Sequence, residues 1–242
     1  MPIHIIQFQI QTHNLILNLR NRGLKMRPND TDIGYLIHSW IMATFEQNPF
    51  HCFHFDVHPR HANILAYSDY SAEDILKNKK QQEQSVENAI NWDTFQSKML
   101  PEIWPKHTTL QFETSVCPTT RVTDTITKKQ QEIDMYLYHK NSGQNKYMLR
   151  EDIYIDWFQH KIHTDIAQVS NLEVTKFQVQ SMVRKTHTQH PQQSKSRNIS
   201  LPICTIQGTI TIQDSDKFTT LLTKGIGRHK AFGMGMLLLK RL

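Results

Sequence analysis

The residues of this 242-residue chain best suited to chemistry gather in two places, the first close to the C-terminus. There, in Lys224-Gly225-Ile226-Gly227-Arg228-His229-Lys230-Ala231-Phe232-Gly233-Met234-Gly235, four of the chain's 8 glycines surround three consecutive basic side chains. Glycine has no Cβ, so it concentrates where backbone takes φ > 0 or must come close to a ligand. Gly225, Gly227, Gly233 and Gly235 are therefore expected to expose backbone N–H groups. With Arg228, His229 and Lys230 they would surround an anion, most naturally a phosphate. The loop is expected to lie outside the core. A dinucleotide-binding G-x-G follows the first strand and opens a helix; this one leaves a helix and enters an apolar closing strand. A tight turn would explain two spaced glycines, but four glycines with three cations exceed what a turn needs.

The second place is Asp32-Ile33-Gly34-Tyr35-Leu36-Ile37-His38-Ser39-Trp40-Ile41-Met42-Ala43-Thr44-Phe45. Apolar residues at 33, 36, 37, 40, 41 and 44 or 45 form a helical stripe that must bury one face. Tyr35 and His38 then lie about 60° apart, one turn from each other and nearly opposite the stripe. Histidine titrates near neutral pH and can give or take a proton. By itself such a pair reads more readily as two surface side chains.

The string G-I-G-R-x-K-A-F-G-x-G-M-L-L resembles the C-terminal glycine-rich loop of the CRISPR-associated repeat-RNA endoribonucleases of the CasE type. Tyr35-x-x-His38 resembles the pair that these enzymes carry on their first helix, facing that loop. Less specific likenesses cover much of the rest: residues 34–39 followed by Asn48-Pro49-Phe50, then Leu65-Ala66-Tyr67-Ser68-Asp69, and residues 150–158 as the helix opening a second domain.

The resemblance implies a metal-independent endoribonuclease that cuts CRISPR repeat RNA at the base of its stem-loop. His38 would be the general acid/base, and Tyr35 would orient or activate the 2′-OH. The products would be a 2′,3′-cyclic phosphate and a 5′-OH. The mature guide RNA would be retained with other subunits of a Cascade-type complex, and neither metal nor cofactor is expected. One position departs from the pattern. Some family members have a Lys five residues after the His, and here that residue is Ala43. Arg228, Lys230 or the basic stretch at 18–30 could supply the charge, or cleavage could be slow. A catalytically silent RNA-binding scaffold of the same fold is the competing reading.

Composition agrees with a polyanionic partner: net charge is +6 and the pI about 9.2, which favours nucleic acid or a membrane surface. No run approaches the roughly 20 apolar residues of a spanning helix, and no signal peptide is visible. Cys52, Cys117 and Cys204 are isolated, as in a reducing, cytoplasmic setting.

The elements that must position these residues read as a strand at 3–10, a helix to about 46 capped by Asp30, Thr31 or Asp32, and strands at 50–57 and 64–68. A polar helix at 72–91 follows, and residues 108–117 form either the closing strand or the start of the next unit. This is the split β-α-β layout of ferredoxin-like folds. The second half reads as a helix at 147–163, strands at 174–183 and 203–212, and a helix at 214–224. The expected class is α+β, with two tandem ferredoxin-like (RRM-like) domains at 1–100 and 106–242, joined by a Pro-containing linker at 98–106.

Residues 184–197 hold Arg184, Lys185, Lys195 and Arg197 with no acidic residue. Between two strands they would form a cationic hairpin, which in CasE-like proteins enters the groove of the RNA stem; A-form RNA is read largely through shape and backbone. Arg121, Lys128 and Lys129 make a weaker patch. Cys52, His54, Asp56 and His58 would share one face of a strand and have zinc-type ligands, but their spacing matches no structural zinc signature. A metal-dependent nuclease built on the cluster at 51–61 is the third reading.

Overall fold

The computed structural model describes residues 2–21, 32–80, 88–123, 128–143, 147–185 and 196–242. The first half begins with β1 (His4–Gln11), where Ile6, Phe8 and Ile10 point inward at period 2. Two helices follow, α1 (Thr12–Asn21) and α2 (Ile33–Thr44). The hairpin of β2 (Cys52–Val57) and β3 (His61–Ser68) comes next, then the short α3 (Ala72–Lys77) and β4 (Ile90–Met99). The sheet order is β2-β3-β1-β4 with every pair antiparallel, the ferredoxin-like arrangement. Residues 18–21 belong to α1, and the rest of the basic stretch, with Asp30 and Thr31, lies outside the described residues.

Three elements of this half differ from the sequence expectation, and one of them, α1, was not expected at all. The polar helix predicted over 72–91 stops at Lys77, where Asn78 caps it. The strand closing the first sheet is β4, which takes up Lys98 and Met99 of the expected linker. Only Ile90 and Phe95 of β4 are buried, because it is an edge strand. An edge strand has little apolar alternation to read.

The second half repeats the order. β5 (Thr109–Val116) comes first, then α5 (Arg150–Gln159), β8 (Ala167–Lys185), β9 (Ser196–Ile212), α6 (Ser215–Lys224) and β10 (Leu238–Arg241). Its sheet runs β10-β5-β9-β8, again antiparallel throughout. Inserted after β5 are a two-stranded ladder, β6 (Thr119–Thr123) with β7 (Gln130–Asp134), and α4 (Met135–Asn141). The strands of the basic hairpin are longer than expected. Arg184 pairs with Arg197 and Lys185 with Ser196, while Lys195 lies outside the described residues.

Each half has its own apolar core, and the first lends residues to the second. Cys52 and Tyr67, on adjacent strands of the first sheet, are buried in the second core. The Tyr67 hydroxyl donates to the Leu237 carbonyl at 2.6 Å and the Cys52 thiol to the Leu222 carbonyl at 3.5 Å. Burial pushes the Cys52 thiol up to about 12 and the Tyr67 hydroxyl higher still. The two halves are thereby joined just where the glycine-rich loop runs.

Candidate functional site

Helix α2 starts at Asp32, whose carboxylate accepts the Tyr35 amide at 3.0 Å. Such a cap satisfies an N–H that the first turn would otherwise leave open. Leu36, Ile37, Trp40 and Ile41 are buried against the sheet, as the stripe requires. Tyr35 and His38 occupy the other face and are half-buried, because the glycine-rich loop lies over them. The Phe232 ring is 6.2 Å from the Tyr35 ring and meets the His38 ring edge-on at 5.5 Å. Burial lowers the His38 pKa below the ordinary 6.5, so the imidazole is neutral at pH 7 and able to accept a proton.

The approach of loop to helix is close because Gly34 has no side chain. A methyl group there would lie 2.3 Å from the Phe232 carbonyl oxygen. Phe232 ends the short 3-10 turn Lys230–Phe232 and also packs against Cys117 and Leu201. It thus connects α2 of the first half to β9 of the second.

All four loop glycines have positive φ, between +63° and +86°. Their amides are less open than expected. The amides of Gly225, Gly233 and Gly235 already donate to the carbonyls of Leu221, Lys230 and Ser115. They cannot receive a phosphate without breaking those bonds. Gly233 is buried under Phe53 and Phe55, and Gly235 lies against Ile226. Ile226, Met234, Met236 and Leu237 are buried as well, so the loop is part of the interdomain packing and not outside the core. The glycines let the chain turn tightly enough to bring residues 227–232 onto the helix.

Two of the loop's three consecutive basic side chains, Arg228 and His229, are held by a residue that the sequence analysis missed. Glu132 on β7 is 6% exposed at its side chain, and three groups converge on its Oε1, two by hydrogen bond and Arg228 as an ion pair. These are the Thr119 hydroxyl at 2.5 Å, His229 Nε2 at 2.9 Å and Arg228 Nε at 3.2 Å. Burial alone would raise the Glu132 pKa. The hydrogen bonds from His229 and Thr119, with the charges of His229 and Arg228, outweigh it and hold the carboxyl at about 2. His229 itself sits in the left-handed region at φ 60°. Lys230 Nζ donates to the Lys224 carbonyl at 2.6 Å.

Tyr35, His38 and the 225–235 loop, 187 residues or more apart in sequence, are therefore brought together. Phe232 was also missed, although an aromatic ring in a loop of glycines and cations is a visible signal. Glu132 gave none beyond an acidic residue alternating with Asp134 in a short strand. The strand face with zinc-type ligands is divided: Cys52 is committed to the Leu222 carbonyl, and His54 Nε2 contacts Asp56 at 3.2 Å. Arg121, Lys128 and Lys129 are exposed.

The pattern shared by CRISPR-associated proteins matches residues 12–241. No curated protein matches the chain in sequence. Among solved structures, the CRISPR endoribonuclease Cse3 bound to a 19-nucleotide RNA superposes with a TM-score of 0.64 at 10% identity, covering 99% of this chain and 100% of that one. Cas6e from Escherichia coli K-12 gives 0.52 at 17% identity, over 98% and 100% of the two chains. A chain of a pre-nicking CRISPR RNA-guided surveillance complex gives 0.53 at 14%, again over 98% and 100%. At such identities the likeness is one of fold, and it extends over both ferredoxin-like halves. With that fold, and with the family pattern matched across nearly its whole length, the chain belongs to the CRISPR-associated protein family.

Proposed function

We propose that this protein is a metal-independent endoribonuclease that cleaves CRISPR precursor RNA within the repeat, at the base of its stem-loop. The observation that carries the reading is the placement of Tyr35 and His38, side by side on one helix, under Phe232 of the glycine-rich loop. Neutral His38 takes the proton from the 2′-OH, with Tyr35 orienting that hydroxyl. The 2′-oxygen forms a bond to the scissile phosphorus as the bond to the 5′-oxygen breaks. His38 then returns the proton to the leaving 5′-oxygen. The products are a 2′,3′-cyclic phosphate and a 5′-OH. The paired strands carrying Arg184, Lys185 and Arg197 lead into the hairpin that meets the stem. Retention of the cut guide RNA within a Cascade-type complex in the cytoplasm completes the proposal.

A second reading, a silent RNA-binding scaffold, draws on one observation. Two of the cations that could replace the Lys absent at Ala43 are engaged, Arg228 by Glu132 and Lys230 by the Lys224 carbonyl. Incubation of the cognate repeat RNA with the protein in EDTA separates the readings. A 2′,3′-cyclic phosphate product supports the enzyme, tight binding with no cut supports the scaffold, and cleavage abolished by EDTA supports a metal-dependent nuclease.

A further inference from the structure

We infer that Glu132 is a positioning residue for this cleavage: its carboxylate holds Arg228 and His229 in the conformation that seats Phe232 against Tyr35 and His38. The inference rests on the reading of Tyr35 and His38 as the reacting pair. Its geometry stands independently of that reading. One carboxylate oxygen gathers a hydroxyl, an imidazole and a guanidinium, two of them from consecutive residues of the loop. His229 is a non-glycine residue at positive φ, a conformation that persists only where its surroundings enforce it. Three residues further on is Phe232, whose amide donates to the His229 carbonyl at 2.9 Å. The position of the Phe232 ring therefore follows from that of His229.

The anchor is itself fixed. Glu132 pairs with Arg121 across the β6-β7 ladder. Two residues on, Asp134 accepts from Arg150 at 2.6 Å and from the Tyr154 hydroxyl at 2.9 Å. The Arg150 guanidinium lies over the Tyr136 ring at 4.1 Å and the Phe177 ring at 4.7 Å. The ladder is thus tied to α5 and β8, and Glu132 transmits that rigidity to the loop.

The test uses Glu132→Ala and Glu132→Gln in the full chain, with single-turnover cleavage of repeat RNA and an NMR titration of His38 in the absence of RNA. The His38 signal is assigned by its loss in His38→Ala. Without the carboxylate, Phe232 loosens from His38, water enters, and the His38 titration midpoint rises toward the ordinary histidine value. Single-turnover cleavage falls by up to about 10²-fold, the cost of misplacing reacting groups by about 1 Å, while RNA affinity changes much less. His229→Ala, which removes the imidazole that Glu132 holds, should shift both readouts in the same direction as Glu132→Ala. If Glu132→Ala does not fold, Glu132→Gln and His229→Ala decide. A midpoint and a rate that stay at wild-type values in these variants, with only the melting temperature lowered, would overturn the inference. If the wild-type protein does not cleave, the proposed function fails, and the His38 titration still decides whether Glu132 holds the loop.

Discussion

Gly34→Ala separates the helix's own preference from the demands of the loop above it. In an exposed helix interior, alanine is favoured over glycine by about 1 kcal/mol. Gly34 is the second residue of α2, in its first turn, so local propensity predicts stabilisation of at most that size. The tertiary contact predicts the reverse. The added methyl would lie 2.3 Å from the Phe232 carbonyl oxygen and 3.3 Å from the Phe55 ring. A carbon and a carbonyl oxygen settle at about 3.3 Å or more, so the loop must withdraw by about 1 Å. Overpacking of this kind costs about 1–3 kcal/mol, which cancels or exceeds the gain in propensity. The expected net change is between no effect and a loss of about 2 kcal/mol. The effect on activity should be larger, because about 1 Å of displacement between reacting groups can cost about 10²-fold in rate. Thermal melting and single-turnover cleavage, measured on the same preparation, read the two effects. A Gly34→Ala protein that melts higher and cleaves at the wild-type rate would show that the loop does not rest on α2 in the working state.

His38→Ala should reduce cleavage by about 10²-fold or more, the usual contribution of a proton-transfer group, while gel shifts show RNA binding nearly intact; wild-type cleavage would remove His38 from the mechanism. Because burial lowers the His38 pKa, the acid limb of the pH–rate profile should fall below pH 6.5, and Phe232→Ala should move it upward. The same shift gives His38 a stability contribution that is fully present above its unfolded pKa of about 6.5 and lost as the pH falls toward the lower folded value. Urea denaturation should show this loss shrinking in Phe232→Ala. Gly233→Val places a β-branched residue at φ +86° with its Cβ 2.5 Å from Phe55, so it should lower melting temperature, RNA binding and cleavage together; an intact melting temperature would contradict the buried loop. Neutralising Arg184, Lys185, Lys195 and Arg197 together should flatten the slope of log affinity against log salt by about 3, since each phosphate contact contributes about 0.7–0.9. An unchanged slope would mean that the hairpin does not meet RNA.

What the sequence determined by itself is what periodicity and charge can carry. The stripe from Ile33 to Phe45 decided that Tyr35 and His38 share the face away from the core, because burying the stripe leaves them no other side. Alternation at Ile6, Phe8 and Ile10 marked a strand, and the Asp214 cap is where the helix after β9 was expected to start. The glycines of residues 225–235 announced positive φ, which all four adopt. Local pattern states which face of an element must be covered, but not by what. Phe232 over His38, Glu132 holding a loop 97 residues away, and Gly34 admitting a carbonyl are contacts between elements, and only the folded arrangement chooses them. The edge strand β4 and the inserted β6-β7 ladder escaped detection because they bury too little apolar surface to imprint a period on their sequence. The glycines illustrate the same division. Freedom of φ is a property of the residue, but whether that freedom serves a phosphate or a close-packed turn depends on where the amides point, and here the protein's own carbonyls receive those of Gly225, Gly233 and Gly235.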